Sequence, residues 1–131
     1  MRDIRWGWVL LAGFLAEAVA IAVLVGLRVL HGYDVRSLAP LSALGTAVFD
    51  LELFLGTALF GWWVARKSPA PILNGLLVGV AAVLLYEIVA FGQPVPRNAS
   101  YFFLHALKIG GGAAGGWLAA WRARPPARVP A

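Results

Sequence analysis

The sequence predicts an all-α fold, an integral membrane four-helix bundle running up-down-up-down with both termini on the cytoplasmic side. Three observations predict it. Only 13% of the 131 residues are charged and 61% are hydrophobic, whereas a soluble domain of this size carries roughly a quarter charged residues. Four continuous apolar runs each approach the ~20 residues that cross a hydrocarbon core. The links between them are short, which sets successive helices antiparallel. Because the runs do not alternate in polarity, the strands of a β-barrel are excluded. A mean hydropathy of +0.80 fits a chain whose solvent is mostly lipid.

The first run spans about 6–30. Arg2 and Arg5 precede it as they would precede a secretory signal, but its apolar stretch is too long for a signal core. Ala18 and Ala20 are also followed by more apolar chain, so a retained span is expected. Gly32, Asp34 and Pro40 mark the first link, and the second span covers about 45–64. Pro69 and Pro71 close a very short second link before a span at about 72–91. Pro94 and Pro96 mark the third link, and the last span covers about 101–121. Residues 1–121 form a single domain in this reading. The tail, 122–131, carries Pro125, Pro126 and Pro130 and is expected to be disordered.

Charge sets the orientation. With the N-terminus inside, the cytoplasmic side receives Arg2, Arg5, Arg66, Lys67, Arg122, Arg124 and Arg128, against Arg28, Arg36 and Arg97 outside. Seven against three obeys the positive-inside rule. All six tryptophans, Trp6, Trp8, Trp62, Trp63, Trp117 and Trp121, fall at the same predicted face, where an indole suits the headgroup level. The net charge of +5 is therefore topological rather than a nucleic-acid surface. With no Cys, thiolate metal clusters, disulfides and thiol nucleophiles are excluded.

An ionisable side chain deep in a bilayer costs at least about 2.5 kcal/mol unless it is paired, hydrated or neutral. Every predicted span holds one: Glu17 in the first, Asp50 and Glu52 in the second, Glu87 in the third, and His105 with Lys108 in the fourth. At about 1.5 Å per residue, Glu17 falls near the midplane and the rest in the outer half, so they can share one polar layer. His105 and Lys108, three apart, share a face; Asp50 and Glu52, two apart, diverge. Asp50 lies on a stripe with Thr46, Thr57 and Gly61 and is expected to face inward. Glu52, on a face with Gly56 and Trp63, is expected to meet a neighbouring subunit or to snorkel outward. Lys108 can pair with Glu17 or Glu87 as a structural ion pair. Alternatively, one pair neutralises itself and the surplus carboxylates bind protons or a cation reversibly.

Glycine carries the packing signal. Gly111 with Gly115 and Gly112 with Gly116 are overlapping GxxxG patterns, and Gly75 with Gly79 repeats the pattern in the third span. These positions predict close packing within the bundle or, alternatively, a homodimer seam. A phosphate loop is excluded, because no Walker lysine and hydroxyl accompany the glycines. His31 and His105 lack metal-ligand spacing, and no cofactor or metal is expected. Ser37, Ser42, Ser68 and Ser100 form no hydrolase constellation with a histidine and an acid.

The stretch LLAGFLAEAVAIAVL, with Glu17 among alanines, resembles the opening helix of the small multidrug resistance transporters, whose membrane-embedded Glu exchanges protons for cationic drugs. Asp50, Glu52, Glu87 and Lys108 have no counterparts in that family. The second half, through GWWVARKSPAPILNGLLVGVAAVLLY and GGAAGGWLAAWRAR, resembles small four-span bacterial inner-membrane proteins of unknown function. That resemblance implies a multi-pass bacterial inner-membrane location and the same fold. Two functions are then expected in order. The first is a noncatalytic accessory, assembly or packing subunit, with membrane lipid and a homo-oligomer or larger complex as partners. The second is a small oligomeric proton- or cation-coupled transporter or channel using Glu17, Asp50, Glu87, His105 and Lys108.

Overall fold

The computed structural model describes residues 3–34, 40–93 and 95–123, and these contain four helices and no strand. The helices are α1 (Trp6–Leu30), α2 (Ala43–Ala65), α3 (Pro71–Val89) and α4 (Ala99–Arg122). Beyond Ala123 the expected disordered tail lies outside the described residues, as do Arg2, Arg36, Arg124 and Arg128 of the charge argument.

Local chemistry sets the ends. Ser42 caps α2 by accepting from the Gly45 amide, and Asn98 caps α4 by accepting from the Tyr101 amide. These caps start both helices two residues before the expected boundaries. Pro71 opens α3 at a position where no amide is needed. Gly32, at φ 70°, and Gly92, at φ 78°, turn the chain beyond α1 and α3 in the left-handed region that glycine tolerates.

Contacts give the directions. Trp8 meets Trp63 while His31 bonds to Ser42, so α1 and α2 are antiparallel. Gly79 lies on Lys108 and Gly75 on Gly112, so α3 and α4 are antiparallel as well. Gly111 lies on Phe54 and Gly115 on Ala58, which makes α2 and α4 parallel neighbours. Among the described residues, α1 and α4 do not pack along their backbones. The helices α2 and α3 touch between them, so α1 and α4 lie on opposite sides of the bundle.

The apolar core, Val9, Ala12, Val64, Val78 and Ala81, sits near the end that holds the tryptophans. A second tie fixes that end. The Asn74 side chain, fully buried, accepts from the Arg5 amide (2.9 Å) and reaches the Asp3 carbonyl (2.9 Å) and Ser68 Oγ (2.8 Å). The entry to α1, the α2–α3 link and the start of α3 are thereby joined through one amide.

Three helices, α1, α2 and α3, are long and apolar enough to cross a membrane. The fourth is 24 residues long but less apolar, because five glycines, His105 and Lys108 occupy its middle.

Candidate functional site

The polar groups collect in the half of the bundle away from the tryptophans. Lys108 Nζ donates to Glu17 Oε2 at 2.6 Å, and both residues are buried, at 4% and 6% exposure. This bond links α1 to α4 across the bundle, where no backbone packing does. The ammonium also stands 4.8 Å from the Tyr86 ring centroid, a cation–π contact that occupies a second side of the charge. Of the two partners open to Lys108 in the sequence, the structure brings it to Glu17.

Glu87 belongs to a separate group. Its Oε1 accepts from His105 Nε2 at 3.0 Å and from the Tyr101 hydroxyl. The helical spacing explains the meeting: Tyr101, His105 and Lys108 stand at intervals of four and three on one face of α4. Glu87 is about one-third exposed and His105 is mostly buried, so the pair runs from the protein surface inward. Two rings close around the imidazole group, with Tyr101 at 4.3 Å and Tyr86 at 5.4 Å from it by centroid. His105 Nδ1 is buried and has no hydrogen-bond partner among the described residues.

The expectation for α2 is reversed. Glu52, not Asp50, lies within electrostatic reach of Glu17 and Lys108. Its Oε2 is buried without a hydrogen-bond partner among the described residues. The reason is local: Gly56, one turn on, has no side chain, and a Cβ there would come within 2.7 Å of Glu52 Oε1. The carboxyl group therefore folds along its own helix instead of reaching outward. Asp50 stands apart from the layer, half-buried, in the early turns of α2.

Beside the Lys108–Glu17 pair and His105 lies a cavity of about 190 Å³. Glu17, Tyr86, Tyr101, His105 and Lys108 form its polar wall, and Ile21, Leu24, Phe49, Leu53 and Leu104 its apolar one. It is about the size that admits one small organic molecule or a few waters. Among the described residues no three His, Asp or Glu side chains converge as a metal-binding group.

The glycines divide largely by face. Gly111 and Gly115 press on α2, at Phe54, Thr57 and Ala58, while Gly112 and Gly116 press on α3, at Gly75, Gly79 and Ile72, and Gly112 also lies against Gly61 of α2. The sequence reading did not single out Tyr86, Tyr101 or Asn74. Tyr101 was detectable as the residue one turn before His105, and Asn74 as the one amide in the third apolar run.

No family model matches this chain, and no curated protein or solved structure matches it.

Proposed function

We propose that this chain is a multi-pass protein of the bacterial inner membrane, crossing it four times with both termini inside. In this reading it acts without catalysis, as an accessory, assembly or packing subunit. One observation carries the proposal: the usual distribution of side-chain sizes is inverted. The buried apolar positions are mostly alanines and valines, while Leu10, Phe14, Leu30, Leu44, Leu51, Leu59, Ile88, Phe91 and Phe102 are exposed. Water would oppose so much exposed apolar surface; lipid does not.

The same contrast supports a crossing by α4. Four of its five glycines are covered by α2 and α3 and its lysine is paired with Glu17, which leaves Phe102, Phe103, Trp117 and Trp121 outward. Low average apolarity thus reflects covered faces rather than a wetted helix. Orientation is supported by the basic, tryptophan-bearing end, where Arg5 lies over Trp8 and Arg66 over Trp62.

The test is extraction followed by native mass spectrometry. The protein should resist a carbonate wash, dissolve only with detergent, and emerge as a homo-oligomer or bound to another protein. A detergent-free soluble monomer would sink the proposal.

A second reading, coupled movement of protons or a cation, is favoured by the Glu52 oxygen, unpartnered among the described residues and within electrostatic reach of Glu17 and Lys108. Three carboxylates, Glu17, Glu52 and Glu87, face one lysine and one titratable histidine, which leaves a negative charge to be met by a proton or cation. Proteoliposomes given a pH gradient should then show an ion flux that Glu52→Gln abolishes. Absence of flux in the wild type would remove this reading.

A further inference from the structure

An open apolar groove of about 360 Å³ runs between the parallel helices α2 and α4 toward the tryptophan end. Leu55, Leu59 and Trp62 form one side, and Ala114, Trp117 and Leu118 the other. Its floor is shallow because the helices nearly touch at Ala58 and Gly115, where neither side chain can fill the space. At the mouth of the groove two cations meet one ring. The guanidinium of Arg66 lies 5.2 Å and that of Arg122 5.9 Å from the Trp62 centroid.

The convergence follows from geometry. Arg66 comes one turn after Trp62 and Arg122 one turn after Leu118, and parallel packing brings both helix ends to the same level. A cation at a helix C-terminus is favourable by itself, which accounts for one charge on each helix but not for two charges sharing a ring. No carboxylate pairs with either arginine among the described residues. Two positive charges above an apolar channel are complementary to an anionic head on an acyl chain. A second copy on this face, by contrast, would set four arginines against one another.

We propose that this groove binds an anionic phospholipid, its phosphate held between Arg66 and Arg122 and one acyl chain lying along Leu55, Leu59 and Leu118. The site rests on the membrane reading above and is independent of the protein's partners.

The test uses the full chain in an uncharged detergent, titrated with phosphatidylglycerol or with phosphatidylcholine of the same acyl chains, and followed by native mass spectrometry. Phosphatidylglycerol should bind about tenfold or more tightly than phosphatidylcholine. That preference should disappear in Arg66→Gln/Arg122→Gln, whose melting temperature without added lipid should match the wild type. Glycerol phosphate, the head without chains, should not bind measurably. Equal binding of the two lipids, a preference that survives the double substitution, or equal binding of the bare head would each overturn the site. A carbonate wash of native membranes separates the two levels. Release of the protein defeats the membrane reading and the site together, whereas retention with lipid indifference defeats the site alone.

Discussion

At the scale of single residues, the contact with most at stake is Lys108 with Glu17. Two charges taken from water are tolerable only together, and removing one leaves the other buried without a counter-charge, at a cost of about 3–5 kcal/mol. Glu17→Gln should therefore lower stability in detergent by roughly that amount, measured by thermal or denaturant unfolding. The exchange Glu17→Lys/Lys108→Glu should recover most of the loss. If the single substitution proves neutral, the pair does not hold α1 to α4. This pairing was half legible in the sequence: the lysine and its candidate carboxylates could be named, but choosing between Glu17 and Glu87 required the bundle. His105 and Tyr101 claim the Glu87 carboxyl group from the near side of α4, which leaves Lys108 to reach across. Asp50 and Glu52 show the opposite case. Helical angle argued for Asp50, yet a missing side chain at Gly56 decided where the Glu52 carboxyl group settles, and no face plot contains that contact.

At the scale of elements, α4 is wedged between two neighbours by two glycine registers offset by one residue, about 100° apart around the helix. The pair Gly111 and Gly115 fits α2, and the pair Gly112 and Gly116 fits α3, where Gly75 and Gly79 give room from the other side, with Gly112 also against Gly61 of α2. The sequence therefore displayed both seams, and packing within the bundle is where the structure places them. What it did not display was the neighbour of each seam. Short links order α1, α2, α3 and α4 along the chain but say nothing of α2 against α4, a contact made by matching surfaces far apart in sequence. Gly115→Val should force α4 off α2, because a Cβ there runs into the Ala58 carbonyl and the Trp62 amide. The loss should be about 1–3 kcal/mol, the usual cost of overpacking, visible as a lowered melting temperature. Gly110→Ala meets nothing within 4 Å and removes a flexible residue, so it should be neutral or mildly stabilising. Equal effects at the two positions would mean that neither face of α4 is closely packed.

At the scale of the whole molecule, the two ends of the bundle differ in kind, and the difference bears on how it sits in a membrane. One end gathers Trp8 against Trp63, Arg5 over Trp8, both arginines on Trp62 and the Asn74 clamp, all tightly joined. The other holds the cavity and the Glu87, His105 and Tyr101 group, open enough that Glu87 is partly exposed. The proposed orientation keeps basic residues on the cytoplasmic side, which would put the tryptophan end there, and the α2–α3 link with it. Because the chain has no cysteine, this can be read without a background to remove. Pro69→Cys lies in the α2–α3 link and Gln93→Cys in the α3–α4 link, both at exposed positions. In intact cells a membrane-impermeant maleimide should label Gln93→Cys and leave Pro69→Cys unmodified until the cells are opened. The reverse pattern would invert the bundle, moving the proposed lipid site to the outer leaflet. Labelling of both in intact cells would mean that α3 does not cross at all. The two labels report the crossing by α3, and in the proposed topology α4 follows it back, which puts its glycine-rich middle, with Lys108 paired to Glu17, in lipid.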